Sequence, residues 1–308
     1  MDLSQSSRSI PDPLSDVLAT LGAQVARRTR LEAAGSWSLA FPALDRLKFV
    51  ALSRGTCWLM CPGRSPLRME SGDVCLIGRM AYTVASDPAV PSEDGRAYFA
   101  ADRDTARLGG DDTVMIGGGV AFETTHAEFL LDMLPDVLLV PRSSPGAGTV
   151  ATILALLDAE VERDCMGSVI VTARLADVLL VEAIRACAAG DAATSGWLGA
   201  IDDPRLGRTL RAIHGAIAYP WTVALLAREA GMSRAAFSAE FTRRIGQPPL
   251  TYLRSWRLTR ARIALARDWS DVATVAADSG YASQSAFGHA YRRAFGTSPG
   301  AARPSRGG

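Results

Sequence analysis

Three groups of side chains in this 308-residue sequence have types and spacing that could do chemistry. The first comprises two arginine pairs, Arg243-Arg244 and Arg292-Arg293, each following an aromatic pair, Phe237/Phe241 and Phe287/Tyr291. On a helix, residues four apart share a face. The aromatics would anchor an inner face, leaving an outer face that is small or hydrogen-bonding at its start and cationic at its end. A helix entering the major groove needs that order, with base readers in front and phosphate clamps behind.

The second group is Cys57, Cys61 and Cys75. Four residues apart on a strand, Cys57 and Cys61 share a face, and Cys75 falls on a later strand. Arg54, Arg64 and Arg79 are near in sequence and could lower a thiol pKa, the requirement for an oxidant sensor. The competing role is that of small buried hydrophobes. With Cys165 and Cys187 the thiols are too few and scattered for a disulfide scaffold, and no CxxC occurs. The third group is the histidines, His126, His214 and His289, which include no HxH pair. No Walker loop occurs. Gly117 to Gly119 lack GxGxxG spacing and are read as a bulge or turn at a strand.

The arginine pairs belong to an internal repeat. VALLAREAGMSRAAFSAEFTRRIGQPP, from Val223, matches VATVAADSGYASQSAFGHAYRRAFGTSP, from Val272. Gly231 aligns with Gly280 at an offset of 49; Phe237/Phe287, Phe241/Tyr291, Gly246/Gly296 and Pro249/Pro299 align at 50. Each copy reads as a helix-turn-helix: a short apolar helix, a Gly turn, a Ser N-cap (Ser233, Ser283), and a second helix. Between the copies, residues 250–266 read as one long helix carrying Arg254, Arg257, Arg260 and Arg262. It could hold two recognition helices apart on one side of a duplex.

The elements that must position these groups divide the chain in two. From Pro204 onward there are 16 Arg, no Lys and 5 acidic residues, net +11, whereas residues 1–203 are net −10. The basic part is suited to nucleic acid. The acidic part opens with a helix at Asp12-Pro13 and continues, from about Trp37 to Phe122, in short β-rich runs of the kind found in a small sandwich or barrel. A short helix and an extended piece lie between His126 and Leu139. Residues 149–163 and 169–189 read as helices, with Val150, Ile153, Leu154, Leu157 and Val161 as a stripe for the strand domain or for a second protomer. No stretch approaches the roughly 18 apolar residues of a spanning helix, and no signal peptide is visible. A cytoplasmic protein without membrane contact is expected.

Residues from about Arg205 to Arg303 resemble the DNA-binding domain of the AraC/XylS family of bacterial transcription regulators. The carrying segments are PWTVALLAREAGMSRAAFSAEFTRRIGQPPLTYLRSWRLTRARIAL and GYASQSAFGHAYRRAFGTSPGAAR. DPLSDVLATL, KFVALSRGTCWLMCPG, MESGDVCLIGRMAYTVASDP and HAEFLLDMLPDVLLV resemble the cupin-like sensor domain that accompanies it. The resemblance implies an α+β chain: a disordered tail (1–11), a cupin-like β-barrel sensor (12–142), a helical dimerisation or packing segment (149–189) and a linker (190–204). A DNA-binding domain (205–303) follows, with helix-turn-helix motifs at 222–245 and 271–295, then a tail (304–308).

Carried over position by position, the base readers are Arg234, Ala235, Ser238 and Ala239 in the first copy, and Gln284, Ser285, Gly288 and His289 in the second. Arg243, Arg244, Arg292 and Arg293 are backbone clamps. Trp37, Phe49, Trp58 and Tyr82 are effector-pocket candidates, with core packing as their competing role. Metal-binding cupins use two or three His and a Glu. Here Met80-Ala81-Tyr82 occupies a segment where the family often has a histidine, so no metal, cofactor or enzymatic activity is expected. The expected protein is a dimeric activator that binds double-stranded DNA and RNA polymerase and responds to a small-molecule or redox signal. A cupin enzyme with a DNA-binding appendage and a ligand-independent architectural binder are the alternatives.

Overall fold

The computed structural model describes residues 12–99, 103–122, 128–163, 165–189, 196–267 and 271–302. His126 and the expected tails lie outside the described residues. The strands are β1 (Gln24–Ala33), β2 (Ser38–Phe41), β3 (Lys48–Arg54), β4 (Thr56–Met60), β5 (Leu67–Glu70), β6 (Val74–Ile77), β7 (Tyr82–Ala85), β8 (Glu93–Asp94), β9 (Thr105–Leu108), β10 (Thr113–Ala121) and β11 (Val137–Val140). The helices are α1 (Pro13–Leu21), α2 (Glu128–Met133), α3 (Ala147–Arg163), α4 (Ser168–Ala189), α5 (Gly196–Asp202) and α6 (Leu206–Gly215). They continue as α7 (Val223–Ala230), α8 (Arg234–Ile245), α9 (Pro249–Arg267), α10 (Val272–Asp278) and α11 (Gln284–Phe295).

The chain forms two compact units. In the β unit a six-stranded sheet runs β11-β6-β3-β10-β1-β9, and a five-stranded sheet runs β5-β4-β7-β2-β8. Most pairings are antiparallel; β1–β9 and β2–β8 are parallel. Alternation along the strands sends Leu31, Val50, Leu52, Leu59, Val84 and Met115 into one core cluster. Among the described residues no strand ladder joins the sheets, so the cupin-like domain is an open two-sheet structure and not the closed barrel expected.

The triple glycine is not a turn, and the register shift of the β1 ladder, between Val25 and Arg27, falls opposite its end at Gly119 and Val120. Gly117, Gly118 and Gly119 pair in register with Val50, Phe49 and Lys48, and the shift in the β3 ladder falls at Val114/Met115. A Cβ on Gly118 would lie 2.2 Å from the Phe49 ring, so the buried aromatic requires a glycine opposite it.

α3 and α4 pack on each other, α3 against β3 and α4 against β1 and β11. Val150, Ile153, Leu154 and Leu157 are buried, which assigns that much of the predicted stripe to packing within the β unit. Polar contacts stitch the layers. Arg30 pairs with Glu32 and with Asp158 of α3, Ser53 Oγ donates to Asp158, and the Val25 amide donates to Asp177 of α4 at 2.8 Å.

The helical unit contains α5 to α11 and also α1 and α2, which the sequence reading groups with the strands. Asp12 caps α1 by accepting from the Ser15 amide at 3.0 Å, as the Asp-Pro start predicts. The predicted linker holds α5, because Trp197 and Leu198 have apolar surface to bury and are 1% and 5% exposed.

Candidate nucleic-acid interface

Each repeat folds by the same local rules. Thr222 caps α7, Gly231 ends it at φ 64°, and Ser233 Oγ accepts from the Ala236 amide at 3.3 Å to start α8. In the second copy Asp271 caps α10, and Ser283 Oγ accepts from the Ala286 amide at 3.2 Å to start α11. The turn glycine there, Gly280, has φ 75°, and a Cβ would lie 2.7 Å from both the Ala218 carbonyl and the Arg257 guanidinium. Left-handed backbone and close approach both demand glycine at that point.

Phe237, Phe241, Phe287 and Tyr291 are fully buried, so the aromatic pairs anchor the inner faces as predicted. The opposite faces are open. Arg234, Ala235 and Ala239 on α8 and Gln284, Ser285 and His289 on α11 are exposed, while Ser238 and Gly288 are half-buried. Nothing lies within 4 Å of a Cβ built on Gly288. A mid-helix glycine costs about 1 kcal/mol relative to alanine, and at this position no contact within the protein requires it.

The four arginines expected to clamp the DNA backbone fall into two classes. Arg292 and Arg293 are exposed. In the first copy Glu240 binds both partners: it accepts from Arg243 Nε at 2.8 Å and from Arg244 Nε at 3.1 Å. Arg244 also lies 3.9 Å from Asp203 and is only 20% exposed. The hydrogen bond from Arg243 and the companion contact from Arg244 hold the Glu240 carboxyl down at about 2. α8 therefore presents less free positive charge than α11.

The long helix also differs from expectation. α9 is 19 residues, about 28 Å at 1.5 Å per residue, but most of its arginines serve the protein itself. Arg257 donates to the carbonyls of Ile217 at 2.9 Å and Tyr219 at 2.7 Å, fixing the loop before α7. Arg260 is 3.8 Å from Asp16, and Arg262 lies 4.3 Å above the Phe295 ring. Arg254 remains exposed.

Sequence reading missed a buried polar chain in this unit. His214 Nδ1 is 2.7 Å from Asp16 Oδ2, and its Nε2 is 2.8 Å from the Tyr252 hydroxyl. Trp197 Nε1 donates to that hydroxyl at 2.9 Å, and Trp256 Nε1 donates to Asp16 at 3.2 Å. Burial holds the His214 pKa below its ordinary value, outweighing the Asp16 carboxylate. Neutral His214 with its proton on Nδ1 satisfies every partner: it donates to Asp16, and Nε2 accepts from Tyr252. The N-terminal helix is thereby tied to the helix between the two repeats. Asp16, as a lone acid on a predicted helix, gave no sequence signal of a partner 198 residues away.

The sensor candidates separate by sheet face. Tyr82 lines a cavity between the two sheets, and Trp37 is buried in the core cluster. Phe49 points to the opposite sheet face from Lys48 and Val50 and packs over Gly118, and Trp58 alternates with the buried Cys57 and Leu59 on β4. Cys57, Cys61 and Cys75 do meet in one cluster, but all three are buried. Burial pushes Cys57 up to about 12 and also raises Cys75 and Cys61. Arg64 lowers Cys61 less than burial raises it, so the expected arginine activation is outweighed. Among the described residues no group of three or more His, Cys, Asp or Glu could hold a metal ion, and no helix is long and apolar enough to cross a membrane.

Comparison with known proteins matches residues 12–189 to the cupin family described as "Cupin" and residues 226–305 to the "Helix-turn-helix domain" family. A "Putative AraC-like transcription regulator" of Streptomyces antibioticus is 38% identical over 294 residues, covering 94% of this chain and 97% of that protein. The "HTH-type transcriptional regulator AlkR" of Acinetobacter baylyi is 27% identical over 301 residues, covering 94% and 97%. Among solved structures, ToxT from Vibrio cholerae aligns at 12% identity and a TM-score of 0.36, covering 91% of this chain and 96% of that one. With two exposed recognition helices set on repeated helix-turn-helix units and a near full-length match at 38% identity, the chain belongs to the AraC-like transcription regulators, DNA-binding proteins with a cupin-like N-terminal domain.

Proposed function

We propose that this regulator works in the cytoplasm as a homodimer, that an effector in the β unit sets its affinity for DNA, and that it activates transcription by engaging RNA polymerase. The carrying observation for its action on DNA is the pairing of buried aromatic anchors with open outer faces on both α8 and α11. Arg234, Ala235, Ser238 and Ala239 then read the first half of a site, and Gln284, Ser285, Gly288 and His289 the second. The alanines suit thymine methyls or groove shape, and Gln284 suits adenine. Arg292 and Arg293 bind phosphate, with Arg243 and Arg244 weaker in that role because Glu240 competes for them.

Self-association is supported by apolar surface on α4 and the turn before it. Met166, Val169, Ile170 and Val178 are 102%, 76%, 68% and 47% exposed, and Leu156 of α3 is 53% exposed. Sedimentation of the full chain tests this, with a dimer expected for the native sequence and a monomer for Val169→Glu/Ile170→Glu. A native monomer on promoter DNA would overturn it. Catalysis has no place in the reading, since the metal-binding histidine pattern of cupin enzymes is missing from the sequence. Stoichiometric iron or manganese in the purified protein would reopen it.

A further inference from the structure

The cavity between the sheets, about 220 Å³, has an unusual combination of lining groups. Its deep surface is apolar, formed by Leu31, Val50, Val84 and Met115. Phe41 and Tyr82 form one wall as a stacked pair with centroids 5.0 Å apart. At Gly117 and Gly119 the strand β10 contributes no side chain, which leaves room beside Lys48 and Val50. Four cations, Arg27, Arg46, Lys48 and Arg96, join this lining, and no carboxylate does.

Two of the four cations are already balanced. Arg27 binds Asp104 at 2.9 Å and Arg96 binds Asp94 at 2.7 Å. Arg46 and Lys48 have no carboxylate partner among the described residues. Lys48 is the only lysine in the chain, against 32 arginines, and it is 6% exposed. Its ammonium donates to the Pro42 carbonyl at 3.1 Å and sits 4.7 Å from the Tyr82 ring centroid. Burial, and next the charge of Arg46, pull its pKa down to about 8. A buried ammonium beside a guanidinium, without a counter-ion, is costly, and an anion is the group that relieves the cost. Tyr82, whose hydroxyl burial keeps protonated, adds a donor with no hydrogen-bond partner among the described residues.

We propose that this cavity binds a compact organic monocarboxylate, with its apolar body between the sheets and its carboxylate held by Arg46 and Lys48. The lining suits an aromatic or short alkyl acid, whose apolar body would meet Leu31, Val50, Val84 and Met115. A sugar fits poorly, because the deep surface would leave its hydroxyls unpaired. The proposal rests on reading the β unit as the sensor, and it names the ligand class for that reading.

The experiment is calorimetric titration of the full-length protein with benzoate and octanoate, their neutral counterparts benzyl alcohol and octanol, and inorganic phosphate. At least one carboxylate should bind ten times or more tighter than its alcohol and than phosphate. Lys48→Met should abolish that preference while the protein melts at or above the native temperature, because an uncompensated buried cation is gone. Selective [¹³C]lysine labelling places a single lysine reporter in the molecule, and the carboxylate should shift its Cε signal and raise its pKa. Absence of carboxylate binding, equal binding of the alcohol, or an unmoved lysine signal would overturn the proposal. Carboxylate binding that leaves affinity for promoter DNA unchanged would uphold the cavity assignment and overturn the sensor reading instead.

Discussion

At the scale of residues, the proposed reading gives the outward side chains of α8 and α11 separable roles. Gln284→Ala should relax base preference with little effect on random DNA, whereas Arg292→Ala should weaken binding to all sequences. Anisotropy titrations on a selected site and on random duplex distinguish them, and equal losses on both DNAs for both variants would contradict the assignment. Gly288→Ala meets no obstacle inside the protein. It should raise thermal stability by up to about 1 kcal/mol and weaken specific binding roughly tenfold, a combination expected of a glycine kept for close backbone approach. Stabilisation with unchanged DNA affinity would show that the glycine serves no contact. The aromatic anchors and the helix caps were legible because they are local and occur twice. The pairing of Glu240 with Arg243 and Arg244 was within reach, being three and four residues apart on one helix, but the ties of Arg244 to Asp203 and of Arg257 to distant backbone carbonyls were not. Lys48 was within reach of sequence reasoning, for in LKFVALS it shares a strand face with the apolar Val50 and Leu52.

At the scale of elements, α1 and α5 belong with the DNA-binding helices through the His214 chain. His214 has a lowered folded pKa, so the unfolded state binds more protons once the pH drops below its ordinary value of about 6.5. Stability of the helical unit should therefore fall with acidification below that point, by at most about 1.4 kcal/mol per pH unit from this group. Denaturation monitored between pH 7.5 and 5 should show the slope in the native protein and a shallower one in His214→Gln; identical slopes would remove His214 from the account. Trp197→Ala should cost about 3–5 kcal/mol, because it empties a buried site and leaves the Tyr252 hydroxyl one donor short. A fragment beginning at Pro204 would lack that tryptophan, so one beginning before Gly196 should be the more stable. From Trp37 onward most strands and helices were legible from period and punctuation, but β1 was not, because its arginines interrupt the apolar pattern ahead of the region read as strands. Nor was the docking of α1, because it depends on a contact across 198 residues.

At the scale of the whole molecule, near-neutral net charge is the sum of an acidic N-terminal part and a basic C-terminal part. Binding should weaken steeply with salt, as counterions are released for each phosphate neutralised. The slope should be reduced by about one in Arg292→Ala and less in Arg244→Ala, whose guanidinium is already paired. The most direct measurement is selection of binding sites from random duplex DNA by the full-length protein. Two base clusters separated by about one helical turn should be enriched, with the cluster read by α11 lost in Gln284→Ala. Recovery of DNA without any enriched sequence, at an affinity set only by salt, would contradict a sequence-specific regulator.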